Sequence, residues 1–195
     1  MNKIVLDKEN IINLKIEKDS ICNIGKDYKI KELNIELLDN VLFILNDYSE
    51  IDDSILKINI IQNNNSKFLY NHSFISKDKY ELYINVNMIG NNSKNNINIH
   101  GISDNGYSKV IVDGLVRENT FNNELNENIK LLNINDGVSN IYPNMFINTK
   151  NVVANHSASI STINEDYLFY LMSRGINKEK SIDLILDGFL ENNAK

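Results

Sequence analysis

Residues 82–88 read Leu-Tyr-Ile-Asn-Val-Asn-Met, and their alternation is the clearest structural signal in the chain. Apolar residues recur at every second position. This places them on one face of an extended segment and predicts a half-buried β-strand. Further short strand candidates follow at residues 97–100, 109–112 and 129–134. The centre of the chain is therefore predicted to consist of short strands.

Pairs of Asn, Asp and Gly lie between these predicted strands and suit tight turns, because Asn and Gly tolerate positive φ. The pairs are Asn91-Asn92, Asn105-Gly106, Asp113-Gly114 and Asp136-Gly137. The chain has only 8 Gly and 1 Pro, so we expect Asn at many of the corners. Short strands with such corners predict a mainly β body, either a sandwich or a solenoid. The sequence has no strict repeat that would choose between them.

The segment from Leu33 to Leu45 is apolar enough for a pair of strands or a short helix. Its residues 41–45 form a short continuous apolar run, which is typical of a buried strand. We therefore predict β-structure here as well.

The C-terminal segment has the signals of a helix. Thr162 and Glu165 have the spacing of a capping box, and Asn164 is a competing N-cap. A short helix is predicted from about Glu165 to Gly175, because glycine readily takes the left-handed conformation that ends a helix.

A second helix is predicted after Asn177. Its apolar residues recur on one helical face: Ile182, Ile185, Leu186, Phe189 and Leu190. This face either packs on the chain's own β body, covering its open end, or docks a partner protein. The predicted organisation is a β body over residues 1–161 and a helical segment over residues 162–195.

Composition excludes several classes of function. The 195-residue chain has a net charge of −6 and no basic stripe that could neutralise phosphates, so nucleic acid is not an expected partner. No apolar run is long enough to cross a bilayer. The single cysteine, Cys22, cannot form an internal disulfide, and the N-terminal apolar run is too short for a signal peptide. We therefore expect a cytoplasmic protein.

The sequence offers little for catalysis, and we expect a non-enzymatic protein. Its three histidines are far apart, and it contains no CxxC, HExxH, phosphate-binding glycine loop or G-x-S-x-G motif. A β-helical hydrolase would need convergent carboxylates. Asp52 and Asp53 are adjacent, so on a strand they would point to opposite faces, and a solvated turn is the simpler interpretation.

His156 is the most informative single residue. If residues 152–160 form a strand, His156 shares a face with small and apolar side chains and does not point to open solvent. It is then either a buried structural histidine or a metal ligand whose pKa is tuned by an apolar seam.

Residues 136–189 contain three motifs in a specific order. They are Asn155-His156-Ser157-Ala158-Ser159-Ile160, then Tyr-Leu-Phe-Tyr-Leu-Met-Ser-Arg-Gly-Ile at 167–176, then Ile-Leu-Asp-Gly-Phe at 185–189. Together they resemble the C-terminal region of the SufB/SufD family of iron–sulfur cluster assembly proteins. A weaker similarity extends back to residues 88–90, with shorter spacers.

The resemblance implies a right-handed parallel β-helix, or solenoid, followed by a C-terminal helical hairpin. Family members pair through their β-helices, and their C-terminal helices bind SufC, a small ABC-type ATPase. The expected function is a non-enzymatic scaffold or partner subunit of a SUF-type assembly complex. The expected partners are a SufC-type ATPase and either a second copy or a SufB-like paralogue. No cofactor is expected to bind stably, although a transient iron–sulfur cluster would form within the complex.

Residue by residue, His156 matches the family histidine at the interface between β-helices. It is the candidate for metal binding and for the dimer interface. Tyr170 and Arg174 match helix positions that face the ATPase, and Phe169 lies in the same motif. Arginine suits an interface because its planar guanidinium makes several hydrogen bonds.

The chain also departs from the family pattern. SufB has a cysteine before a glycine nineteen residues ahead of the histidine, whereas here Asp136 precedes Gly137. Ser157 replaces a glutamate of SufB, so the chain is closer to SufD. Asp136 and His156 are therefore the candidate iron ligands, weaker than the thiolates that clusters prefer.

The chain is shorter than typical family members, because the N-terminal helical region and several β-helix turns have no counterpart. It is a minimal, degenerate or fragmentary form. The missing cysteine also leaves an alternative, a β-solenoid module that binds a carbohydrate or another protein without a role in cluster assembly.

Overall fold

The computed structural model describes residues 1–6, 9–25, 30–51 and 53–191. Asp52 and the last four residues of the predicted helical segment, 192–195, lie outside the described residues.

Thirteen strands form the body of the described chain. They are β1 (Asn2–Ile4), β2 (Ile11–Ile16), β3 (Ser20–Ile24), β4 (Glu32–Leu37), β5 (Leu42–Ile51), β6 (Ser54–Gln62), β7 (Lys67–Ser76), β8 (Lys79–Met88), β9 (Lys94–Asp104), β10 (Tyr107–Val116), β11 (Asn123–Ile134), β12 (Val138–Ile147) and β13 (Val152–Ser161). Every short strand candidate named from the sequence lies within one of these elements, and the segment from Leu33 to Leu45 contains most of β4 and the start of β5, as predicted for a pair of strands.

The chain is a β-solenoid and not a sandwich. The odd-numbered strands form a seven-stranded sheet in chain order, and the even-numbered strands form a six-stranded sheet. All strand pairs are parallel, so the chain alternates between the two sheets and each turn stacks on the one before. This confirms the solenoid as the fold.

The solenoid turns differ in length, which explains why the sequence shows no strict repeat. Leu42 pairs with Lys67, Lys67 with Lys94 and Lys94 with Glu124, so successive partners are 25, 27 and 30 residues apart. The extra residues are absorbed at the corners and the strands stay in register. A fixed-period search therefore fails although the architecture is repetitive.

The core lies between the two sheets. In β8 the inward positions are buried and the outward positions are not, as the alternation of residues 82–88 predicted. The largest buried side chains are aromatic: Tyr70, Tyr80, Phe43, Phe68 and Phe74. Because both sheets contribute one buried face, the interior is continuous along the solenoid.

Asparagine occupies the corners, as predicted. Asn40, Asn65, Asn92 and Asn122 all have positive φ, between 55° and 62°. They recur at one corner of successive turns, where the side-chain amide of Asn65 donates to the amide oxygen of Asn40 at 3.0 Å. Such side-chain ladders satisfy polar groups between turns.

One predicted turn is wrong. Asp113 and Gly114 lie in the middle of β10 and not at a corner. A Cβ atom at Gly114 would come within 2.5 Å of Leu125 Cδ2 and 2.9 Å of Glu127 Oε1. The glycine is therefore explained by close packing inside the solenoid and not by turn geometry.

Two helices follow the solenoid, α1 (Glu165–Ser173) and α2 (Lys178–Glu191). Asn164 caps α1 by accepting hydrogen bonds from the backbone N–H groups of Asp166 and Tyr167. The cap is therefore Asn164, the competing candidate, and not Thr162. Gly175 has φ +86°, the left-handed conformation expected after a helix.

Helix α2 packs on the chain's own β body. Leu190 is buried against Ile102 and Leu132, which point outward from the seven-stranded sheet. Asn177 caps the start of the helix, where its side chain accepts a hydrogen bond from the backbone of Lys180. The helix lies on the outer face of the sheet, over β7 and β9, and does not cover the open end of the solenoid. The interpretation that it covers that end is therefore wrong.

Candidate functional site

The solenoid ends on two strands that are paired on one side. Strand β12 pairs with β10 and β13 pairs with β11, and no further described strand adjoins either of them. The backbone edges of this last turn are therefore available for pairing. Large apolar side chains on the two strands are also exposed: Val138, Tyr142, Phe146, Val153 and Ile160.

His156 lies on β13 in register with Glu127 on β11. Glu127 is in turn paired with Ile97, and Ile97 with Tyr70, so these side chains form one row that faces the solenoid interior. The predicted face of His156 is thus confirmed, but its predicted enclosure is wrong because the residue is exposed. No described turn stacks beyond β13 to cover it.

Glu127 is the unusual member of this row. It is only 2% exposed, and neither of its carboxylate oxygens has a hydrogen-bond partner among the described residues. Burial raises the pKa of Glu127 to about 8, and the negative charge of Asp113 adds to the effect. An unpaired buried carboxyl group is costly, so it calls for an explanation. Gly114 on the facing sheet leaves the space that this side chain occupies.

Glu127 and His156 are brought together by the sheet. Neighbouring strands lie about 4.8 Å apart, and in-register side chains of a parallel pair point the same way. A carboxylate and an imidazole at this spacing can both coordinate a metal ion such as iron. Metal binding would release the proton that Glu127 holds near neutral pH, which replaces an unpaired buried acid with a coordinated carboxylate.

Asp136 is not part of this pair. It lies on the exposed turn after β11, where its backbone N–H donates to the side chain of Asn105 at 3.4 Å. Glu127 pairs with His156, and β11 continues for seven more residues to Ile134, roughly 23 Å along the strand at about 3.3 Å per residue. Within one chain, the structure does not bring Asp136 and His156 together.

Glu127 was missed by the sequence reasoning, although its signal was present. It lies in the apolar phase of a strand, between Leu125 and Ile129, where an acidic residue is unexpected. Only the register shows that this position adjoins His156, because the two residues are 29 positions apart in the chain.

Glu127 and His156 form a pair and not a complete coordination sphere. Among the described residues, no group of three or more His, Cys, Asp or Glu side chains is placed to hold a metal ion. Cys22 is buried on β3, five strand steps from β13 and therefore about 24 Å away. Burial, followed by the charge of Asp47, raises the pKa of its thiol to about 11. Further ligands would have to come from outside this chain.

A second surface lies on α1, which has no buried residue. Tyr167, Phe169, Tyr170 and Met172 are all exposed on this helix. Arg174 follows the helix and is also exposed, with its guanidinium carbon 5.2 Å from the centre of the Tyr170 ring. The three residues predicted to dock an ATPase are therefore accessible. Arg174 is held over an aromatic ring in a cation–π contact.

Neither α1 nor α2, the helices of the described chain, has the length and apolar character required to span a bilayer.

Comparison with known proteins matches residues 53–189 to the SufBD core domain, described as SUF system FeS cluster assembly. This chain belongs to the SufBD family. The matched region runs from the start of β6 into α2 and contains Glu127, His156 and the exposed surface of α1. Strands β1 to β5 precede it.

The matches with curated SufBD relatives cover only part of each relative's length. An iron-sulfur cluster assembly SufBD family protein, ycf24, of Porphyra purpurea is 38% identical over 104 residues, 52% of this chain and 21% of that protein. A Staphylococcus haemolyticus member is 35% identical over 103 residues, covering 51% and 22%. The ycf24 protein of Galdieria sulphuraria is 35% identical over 103 residues, covering 45% and 47%. The matches therefore span about a fifth to a half of these relatives.

Proposed function

We propose that this SufBD chain is a non-enzymatic, cytoplasmic scaffold or partner subunit in SUF-type iron–sulfur cluster assembly. The observation that carries the proposal is the pairing of Glu127 with His156 at the open end of the family's core domain. The cluster, or the iron from which it is built, is cargo and not a stably bound cofactor.

The donor chemistry supports transient binding. Clusters are normally held by thiolates, whereas this pair offers one oxygen and one nitrogen ligand. Such ligands bind iron, but two of them leave most coordination positions to sulfide or to a partner's side chains. A subunit of this kind would contribute part of a site that a second subunit completes.

The second subunit would dock on the open end of the solenoid, as a further copy of this chain or as a SufB-like paralogue with a cysteine. Strands β12 and β13 offer unpaired backbone edges next to His156, and apolar side chains such as Tyr142, Phe146 and Val153 are exposed beside them. Pairing of these edges with a partner strand would enclose His156 and Glu127 in a drier environment.

The ATPase would dock on α1. Aromatic residues and arginine are enriched where protein interfaces are strongest, and this helix presents Phe169 and Tyr170 beside Arg174. The proposed partner is a SufC-type ABC ATPase, since the described chain has no phosphate-binding loop of its own.

Anaerobic reconstitution with iron, sulfide, the ATPase and a cysteine-bearing partner subunit tests the proposed site. We expect His156→Ala and Glu127→Gln each to lower the yield of bound iron, measured by Mössbauer spectroscopy and metal analysis. The matched control is Asp136→Asn, which changes an exposed acid outside the pair and should leave the yield unchanged. Equal yields for all four proteins would contradict the site. A loss of bound iron confined to Asp136→Asn would show that the iron site lies on the turn that contains Asp136 and not at Glu127 and His156.

Co-purification tests the ATPase surface separately. Wild-type protein should retain the ATPase and Arg174→Ala should retain less. Arg117→Ala is the matched control, because Arg117 is also exposed but directly follows β10, where its side chain donates a hydrogen bond to Asn87. Failure of the wild-type protein to bind would count against the assembly role.

A second candidate function is a binding module for a carbohydrate or another protein, without a role in cluster assembly. The observation that favours it is the outer face of the six-stranded sheet, which presents the aromatic side chains of Tyr83, Tyr142 and Phe146. Helix α2 packs on the other sheet and leaves this face uncovered. Retention on immobilised polysaccharide that Tyr142→Ala abolishes, together with wild-type failure to bind the ATPase, would select this function.

A further inference from the structure

An array of aromatic side chains crosses the solenoid interior along β7. Four successive inward positions of β7 carry Phe68, Tyr70, His72 and Phe74, and neighbouring ring centres are 5.3 to 6.3 Å apart. Tyr80 on β8 extends the array, since its ring centre is 4.8 Å from that of Phe74. All five side chains are buried.

A hydrogen-bonded relay lies at the centre of this array. The hydroxyl of Tyr80 is 3.0 Å from Nε2 of His72, and Nδ1 of the same ring is 3.0 Å from Oδ2 of Asp47. This short Nδ1–Oδ2 contact lets the carboxylate act on the ring through its charge. Ser49 donates to the other carboxylate oxygen at 2.8 Å and holds it in place.

The charge of Asp47 selects the tautomer of His72. A carboxylate at 3.0 Å favours the proton on Nδ1, which leaves Nε2 as a hydrogen-bond acceptor. The hydroxyl of Tyr80 is then the donor in the Tyr80–His72 bond. Burial, and next the charge of Asp47, raise the pKa of Tyr80 well above its ordinary value, so the phenol keeps its proton in the resting protein.

We propose that Tyr80 is a redox-active residue that loses one electron while its phenolic proton passes to His72. The O–H bond of Tyr80 breaks, an N–H bond forms at Nε2, and the neutral tyrosyl radical remains. The imidazolium that results is stabilised by Asp47. The electron is taken up by a one-electron oxidant, such as a ferric ion or a ruthenium(III) complex, which is reduced.

The aromatic array gives the electron a path toward the open end of the solenoid. Tyr70 belongs to the row that continues through Ile97 to Glu127, two strand spacings away and therefore about 10 Å. An oxidant near Glu127 would draw the electron from Tyr80 through the stacked rings of His72 and Tyr70, and the hydroxyl of Tyr70 would take no part. The relay would thus move oxidising equivalents away from iron bound at that end. The redox activity of Tyr80 itself does not depend on the proposed function.

Flash photolysis with ruthenium tris-bipyridine and persulfate tests the proposal on the apo protein. Electron paramagnetic resonance of freeze-quenched samples should show a persistent tyrosyl radical in the wild type, because a buried radical is protected from coupling in solution. Tyr80→Phe should lose the persistent signal. Tyr70→Phe is the matched control and should retain it, since Tyr70 is equally buried but its hydroxyl has no hydrogen-bond partner among the described residues.

Two outcomes overturn the proposal. One is a persistent radical of equal yield in wild type and Tyr80→Phe, and the other is a signal lost only in Tyr70→Phe. His72→Gln should also lose the signal, because an amide cannot take up the proton. If Tyr80→Phe fails to fold, the wild type alone decides: deuterium oxide should slow radical formation, and the absence of an isotope effect rules out coupled proton transfer to His72.

Discussion

Helices α1 and α2 are neighbours in the chain but differ in what their side chains contact. In α2, Leu190 is buried, and the backbone carbonyls of Phe189 and Leu190 accept hydrogen bonds from His100 and Ser73 on the seven-stranded sheet. In α1, no residue is buried. The difference shows that one helix anchors the hairpin to the solenoid, whereas the other presents its aromatic side chains outward.

The anchor is built from both apolar and polar contacts. The last carbonyls of a helix lack partners within the helix, and here side chains of the sheet supply them. The His100 ring also stacks on Phe189, with ring centres 5.1 Å apart. Because His100 and Ser73 are register partners on adjacent strands, the end of α2 is held at a defined place on the sheet.

The largest effect on the difference between the two helices is expected from a substitution of Leu190, which should loosen the docking of α2. Leu190→Ala removes the buried side chain and should destabilise the docking of α2 by about 2–4 kcal/mol, through lost transfer energy and the cavity left behind. Hydrogen exchange of residues 178–191 and thermal unfolding measure the effect. Leu184→Ala on the exposed side of the same helix is the control and should change stability little.

On α1, the corresponding changes should affect binding and not stability. Phe169→Ala and Arg174→Ala remove exposed side chains and should alter the free energy of unfolding by less than about 0.5 kcal/mol. Each should weaken binding of the ATPase about tenfold, equivalent to about 1.4 kcal/mol. Titration calorimetry and denaturant unfolding measure the two quantities. A large loss of stability would show that α1 packs on the solenoid after all.

A smaller effect is expected at the cap of α1. Asn164→Ala removes the acceptor for the N–H groups of Asp166 and Tyr167 and should destabilise this helix by about 1 kcal/mol. Because α1 is not anchored by burial, the change should fray its first turn without loosening α2. Residue-specific hydrogen exchange distinguishes the two helices, and equal loosening of both would contradict their independence.

The smallest effect should appear as a pH dependence of the anchor. Burial lowers the pKa of His100, and the charge of Lys130 acts the same way, while the hydrogen bond to Phe189 opposes them. The unfolded chain therefore binds a proton more readily than the folded protein. The stabilisation that neutral His100 contributes is complete above the ordinary histidine pKa of 6.5, and it is lost as the pH falls below that value. Exchange of residues 178–191, corrected for intrinsic rates, should rise between pH 7 and 5. His100→Gln should remove this dependence.

Local sequence patterns predicted most of the elements. The alternation of residues 82–88, the asparagine corners and the helix caps are short-range signals, and the structure contains the strands and helices that they indicate. The failures have a common cause. The pair Asp113-Gly114 was interpreted as a turn. The structure shows instead that a glycine is needed there because Leu125 and Glu127, on the next strand of the chain, leave no room for a side chain. A pattern within the chain carries no information about such contacts.

The candidate site illustrates the same limit. The similarity of the final third of the chain to the SufB/SufD family was sufficient to select His156, while spacing along the chain selected Asp136 as its companion. Strand register instead places Glu127 beside His156 and leaves Asp136 on a turn. Linear spacing misleads in a solenoid because a residue's neighbour is one turn away, and the turn length varies.

The amino-acid sequence by itself determined a mainly β body, its asparagine corners, the helical hairpin and the family to which the chain belongs, since these depend on local propensity and motif. The tertiary structure alone decided which side chains meet: Glu127 with His156 on neighbouring turns at the open end, and Tyr80 with His72 between the two facing sheets. The physical reason is that parallel pairing joins residues 18 to 31 positions apart, and that both its register and the contacts between the facing sheets are set by the packing of whole turns.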